Sequence, residues 1–236
     1  MVYYEQALSL YRQVGHETGE AAALTNIGAI YDSLADIHQA LVYHEQALLL
    51  LRRVGDKAHE AVVLNNIGRV YDRLGKRAQA LFYFEQALPI SRQVGDKTNE
   101  ARVLNNLGEV YRCLGNMAQA LVYYEEALPL RRHVGDKSGE SATLNNMGLV
   151  YENLGERIKA LGYYEQALFL RRQVEDRWGE SITCYNMAMV HRSLGDLVAA
   201  EQLLFRTVEL DEAIGHPDLA SDRAMLEQVR QERQEG

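Results

Sequence analysis

Laid against itself at an offset of 40, this 236-residue chain falls into register without an insertion. Residues 56–95 and 96–135 are identical at 25 of 40 positions. Glu20, Glu60, Glu100, Glu140 and Glu180 form one unbroken column, and Leu34, Leu74, Leu114, Leu154 and Leu194 form another. A fixed period of this size leaves few folds open, because each unit must bury its apolar face on its neighbours.

Apolar residues return at three- and four-residue steps and there are only three prolines, so every segment reads as helix and the chain as all-α. In the unit 56–95, Ala61, Leu64, Ile67, Gly68, Val70, Tyr71 and Leu74 make one stripe, and Ala80, Leu81, Phe84, Ala87 and Leu88 a second. Each unit is thus a helix pair, and the chain holds about twelve helices. Gly75 and Gly95 stand where the two helices must end in left-handed turns. Ala35 occupies the position of Gly75 in its own unit, so a different turn is expected there. Asp56, Asp96 and Asp136 are placed to cap the next helix, with Glu60 and its equivalents in a first turn that favours negative charge. Pro89 and Pro129 fall late in second helices; because Ser9, Leu49 and Phe169 share their column, a bend rather than a stop is expected.

Leu64, Ile67, Gly68 and Tyr71, followed by Ala80, Phe84 and Ala87, resemble the pattern of the tetratricopeptide repeats. The match recurs through five units. The proline that usually closes that repeat is missing, replaced by further residues such as SRQVGDK at 91–97. The longer unit, with its LNN doublet, is similar to the repeats of kinesin light chain, of Leu-Gly-Asn-repeat adaptors and of bacterial signalling proteins. The resemblance implies a right-handed α-solenoid superhelix of antiparallel helix pairs with a concave inner wall. It also implies a non-enzymatic scaffold that binds a protein or peptide segment there, or else the sensor region of a larger signalling protein such as a bacterial ATPase.

The repeated LNN raises the question of what its asparagines do. At 100° per residue Asn65 falls opposite the packing stripe with Val62, Arg69 and Asp72, and Asn66 and Arg73 lie at its edge. In the family that wall lines the concave groove. Stacking sets Asn26, Asn66, Asn106, Asn146 and Asn186 in one row, with Asn65, Asn105 and Asn145 beside it. An asparagine offers the donors and acceptor that a peptide bond presents, so a ladder of them could hold an extended partner by its backbone. Arg69, Asp72, Glu109, Arg112 and Glu152 would then discriminate among partners. The alternative is that the asparagines bond the neighbouring helix and fix the stacking angle. The change to Thr25 and Tyr185 at either end fits a footprint centred on the middle repeats.

Other chemistry finds no support. The seven histidines scatter over several columns without a metal-binding spacing, and no phosphate loop or nucleophile elbow occurs, so no catalytic residue, metal or cofactor is expected. Cys113 and Cys184 suggest neither a disulfide framework nor a zinc site. A formal charge of −8 argues against nucleic acid as a partner. No apolar run suits a membrane, and no secretory signal opens the chain, so a cytoplasmic setting is expected. The arginine pairs at 52/53, 131/132 and 171/172 read as intramolecular ion pairs. In Tyr3/Tyr4, Tyr123/Tyr124 and Tyr163/Tyr164 the second residue matches a core position.

The period divides a single array, 1–236, into a truncated repeat at 1–15, five full repeats at 16–55, 56–95, 96–135, 136–175 and 176–215, and a capping helix with a frayed tail at 216–236. Residues 1–14 align with 41–54 and so present a second helix without its first. Such a face belongs to a fragment of a longer array or to self-association.

Overall fold

The computed structural model describes residues 1–235. Among them are twelve α-helices and no strand: α1 (Val2–Val14), α2 (Glu17–Ser33), α3 (Ile37–Val54), α4 (Lys57–Arg73), α5 (Arg77–Val94), α6 (Lys97–Cys113), α7 (Met117–His133), α8 (Lys137–Asn153), α9 (Arg157–Gln173), α10 (Arg177–Ser193), α11 (Leu197–Ile214) and α12 (Leu219–Glu235). The fold class is the expected α-solenoid of antiparallel helix pairs. The chain forms two compact units, Met1–Leu114 and the residues from Gly115 onward. In the first, α2 packs on α3 and α4 on α5, each second helix packs on the next first helix, and α4 touches both α2 and α6. The second repeats the arrangement with α8 on α9 and α10 on α11, α8 touching α10, and α12 against α11.

Helix starts follow the residues that invite them. Asp56, Asp96, Asp136 and Asp176 each accept a hydrogen bond from the backbone N–H three residues on, and the His16 ring does the same for Gly19 at 2.9 Å. The glutamate column then acquires a second role. Arg12, Arg52, Arg92, Arg132 and Arg172, near the ends of second helices, donate Nε–H to Glu20, Glu60, Glu100, Glu140 and Glu180 at 2.8, 2.9, 3.0, 2.6 and 3.0 Å. Burial tends to raise the Glu60 carboxyl, but hydrogen bonds from Lys57 and Arg52 outweigh it and hold it below its ordinary range. One clasp therefore ties each second helix to the next first helix.

One expectation needs correction. Ala35 does not change its turn: it takes φ +59° in the same left-handed conformation, as does Glu175 at φ +55° in the column of Gly95. The hydrogen bonds of the turn, Ala35 N–H to Asp32 and Asp36 N–H to Tyr31, impose that conformation on whichever residue stands there. The frayed tail expected at the end of 216–236 includes Gly236, which lies outside the described residues. α12 continues through 231–235, because Arg230 reaches Glu201 on α11 at 3.0 Å and Arg192 on α10 reaches Glu232 at 2.9 Å. The prolines behave as expected, with α5 and α7 running past Pro89 and Pro129 unbroken.

The core of the α4–α5 and α8–α9 pairs is a ring laid on a glycine, whereas Ala188 and Leu204 occupy those columns in α10–α11. A Cβ at Gly68 would sit 2.5 Å from the Phe84 ring, and one at Gly148 would sit 2.4 Å from Tyr164. Ala80 and Ala87 flank Phe84 and are fully buried. The neighbouring tyrosines stack face to face across the pair: Tyr31 on Tyr43, Tyr71 on Tyr83 and Tyr151 on Tyr163, with centroids 5.1–5.4 Å apart. Tyr124 and Tyr164 take the core position expected of them, whereas Tyr4 on α1 stays exposed.

His44 occupies the Phe84 column and is buried against Gly28. Burial, opposed by Asp32 and aided by Arg69, pushes its pKa down to about 4. The folded state thus favours the neutral ring, so its contribution is complete above the unfolded value near 6.5 and is lost as pH falls towards about 4. Urea unfolding across that window should show a loss of about 3 kcal/mol that His44→Phe abolishes. In the same assay at neutral pH, Ala35→Gly and Glu175→Gly should each stabilise the chain by about 1 kcal/mol.

Candidate interaction surface on the first helices

The asparagine doublet is a bridge between repeats. Asn65 is 0% exposed, and its Oδ1 accepts from Asn106 Nδ2 at 2.8 Å. In the second unit Asn145, 5% exposed, accepts from Thr183 Oγ1 at 3.2 Å and from Asn186 Nδ2 at 3.3 Å. The first asparagine of one repeat thus receives the second asparagine of the next. Placing Asn65 and Asn145 on an open groove wall is corrected by this burial. A helical wheel drawn from one packing stripe misses the further contacts of α4 with α2 and α6, which leave little of its circumference to solvent. Asn66, Asn105, Asn106, Asn146 and Asn186 are half-buried, and Asn26 is exposed.

The charges between the rungs are mutually engaged. Arg69 meets Asp32 at 3.3 Å, and Arg73 reaches both the carboxylate and the backbone carbonyl of Asp32, the latter at 2.6 Å. Arg112 forks onto Glu109 at 2.6 and 2.9 Å. Glu152 accepts from the Tyr164 hydroxyl at 2.8 Å. Asp72 is half-buried, and burial followed by the Glu109 charge raises its pKa.

Open space appears where the doublet is broken. Between α2 and α4 lies a cleft of about 260 Å³, walled by Thr18, Ala22, Thr25 and Asn26 and by His59, Val62 and Val63, with Leu51 at its base. Thr25 stands where Asn65 would, and its hydroxyl turns back to the Ala21 carbonyl at 2.8 Å. Between α10 and α12 a second cleft of about 280 Å³ is lined by Ser181, Ile182, Tyr185 and Asn186, opposite His216, Asp218, Ser221 and Asp222. Ile182, Tyr185 and Asn186 are the 160-residue equivalents of Ala22, Thr25 and Asn26. Thr25 and Tyr185, the two departures from the doublet, each line one of these clefts. Trp178, which the sequence reading did not single out, lies beside the second, its ring centroid 4.0 Å from that of His216.

The remaining reactive groups are inert or dispersed. Burial, with Glu180 adding to it, pushes the Cys184 thiol up to about 11. Among the described residues no cluster of three His, Cys, Asp or Glu side chains could hold a metal ion, and no helix is long and apolar enough to cross a membrane.

A tetratricopeptide repeat profile matches residues 20–93 and 99–173. The chain belongs to the tetratricopeptide repeat family. No curated protein matches its sequence. Among solved structures it is similar to BtubC (BKLC) from P. vanneervenii, at 21% identity and a TM-score of 0.78 over 91% of each chain. It also resembles aspartyl phosphate phosphatase F from Bacillus subtilis, at 15% identity and 0.77, covering 95% of this chain and 62% of that one. A signal transduction ATPase with a tetratricopeptide repeat sensor from Pyrococcus horikoshii matches at 19% and 0.77 over 96% of this chain, which spans only 36% of the ATPase. At these identities the likeness is one of fold alone.

In this tetratricopeptide repeat chain the asparagine bridge sets how first helices meet. A double-mutant cycle on Asn65→Ala and Asn106→Ala, read by urea denaturation, should give a coupling of about 1 kcal/mol, with Asn65→Ala alone costing about 1–2 kcal/mol.

Proposed function

We propose that the protein is a non-enzymatic interaction scaffold that takes an extended or helical peptide segment of a partner on its first helices. The observation that carries this is the α2–α4 cleft, an apolar hollow walled by Ala22, Val62 and Val63 beside the exposed amide of Asn26. Such a site fits a small aliphatic side chain while an adjacent amide holds the peptide backbone, a common division between pocket and main-chain recognition. Arg69, Asp72, Glu109 and Arg112 remain candidates for flanking contacts, after exchanging their present partners. Asn65 and Asn145 act instead by holding the wall. The reading serves equally a chain working alone and one that forms the sensor region of a larger signalling protein.

Selection of a displayed peptide library on the intact chain, followed by affinity measurement, tests it. Filling the cleft with Ala22→Leu should weaken the selected peptides by about tenfold or more, and Asn26→Ala by about fivefold. Equal affinities for wild type and both variants would remove the cleft from the mechanism.

A further inference from the structure

The α10–α12 cleft differs from its α2–α4 counterpart in charge. Asp222 lines it and is 8% exposed, Asp218 lines it at the surface, and the carboxyl of Asp222 is hydrogen-bonded to Asp211, which is 0% exposed. Asp211 also accepts from Ser181 on the cleft wall. Elsewhere a buried carboxylate is matched by cations: Glu60 by Arg52 and Lys57, Glu100 by Arg92 and Lys97, Glu180 by Arg172 and Arg206. Asp211 and Asp222 make no such ion pair among the described residues.

A second buried group at the cleft lacks a partner among the described residues. His216 lines the cleft at 8% exposure, with its ring against Trp178. Its Nδ1 accepts from the Asp218 backbone N–H at 3.1 Å, which leaves Nε2 as the ring's donor, and that atom is buried without a partner among the described residues. A buried donor and buried carboxyls without cations are costly to leave unmatched. The walls between them are Ile182 and the Tyr185 ring, both partly exposed.

We propose that this cleft is a subsite for a cationic side chain, a lysine of the bound peptide. Its ammonium meets Asp222 and Asp218, its methylene stem lies along Ile182 and Tyr185, and a peptide carbonyl accepts from His216 Nε2. The ligand being a peptide rests on the scaffold reading above; the charge preference does not.

The ammonium takes the place of a proton. Burial, the hydrogen bond to Asp211 and the charges of Asp211 and Asp218 push the Asp222 carboxyl up to about 7. The titratable groups facing it are Asp211 on α11, Tyr185 on α10, and His216 and Asp218 in the turn before α12. A cation favours the ionised acid, so lysine binding releases a proton and strengthens as pH rises through neutrality.

Trp178, the chain's single tryptophan, reports on the site by fluorescence through its contact with His216. Acetyl-Gly-Lys-Gly-amide, titrated into the intact protein, should bind at least about tenfold more tightly than its norleucine analogue. The preference should grow from about pH 6 to about pH 8 and vanish in Asp222→Asn, which mimics the protonated acid and keeps α12 docked. Equal binding of the two probes, a preference that does not grow with pH, or an undiminished preference in Asp222→Asn would each overturn the proposal. None of those results depends on the α2–α4 cleft, whose own test uses selected peptides.

Discussion

The α2–α3, α4–α5 and α8–α9 pairs are each held by a ring pressed onto a glycine. Phe84 on Gly68, Tyr164 on Gly148 and His44 on Gly28 approach so closely that a single methyl group would collide with the ring. Overpacking of this kind typically costs 1–3 kcal/mol, so the glycine column fixes how near the two helices lie. The stacked tyrosines beside each ring then fix the rotation of one helix on the other. His44 uses the same seat with a titratable ring, which makes one pair in the first unit sensitive to acid while its neighbour, built on Phe84, is not.

With the pairs fixed, two polar devices join one repeat to the next within each unit. The Arg–Glu clasp links a second helix to the following first helix, and the asparagine bridge links first helices directly. The second device also decides where the surface is closed. Where Asn65 or Asn145 is present, its amide fills the space between first helices. A shorter or bulkier residue, Thr25 or Tyr185, leaves a cleft whose character follows the local side chains: apolar beside Ala22 and Val62, acidic beside Asp218 and Asp222.

The period, the helix pairs and the aspartate caps were legible because each is a local rule written several times over. Ala35 was misjudged because the turn's hydrogen bonds outweigh the strain that one methyl group imposes at positive φ. Asn65 was misplaced because a helical wheel knows only the stripe that defines it, whereas α4 has neighbours on three sides. The clefts escaped notice because a space between helices has no motif. The ion pairs that hold α12 have no local sign, because its partners, Glu201 and Arg192, lie about 30–40 residues away in sequence.

The clasp has a consequence for how such a chain changes length. Arg52, Arg92, Arg132 and Arg172 are interchangeable, as are the glutamates that receive them, because each pair spans the same eight positions. Excising residues 56–95 would join Gly55 to Asp96 and hand Glu100 to Arg52, recreating the junction it removed. Insertion of a forty-residue block leaves equally familiar seams. Duplication and loss of whole units are therefore nearly invisible to the packing, and gene-level growth of the array can proceed in steps of one repeat.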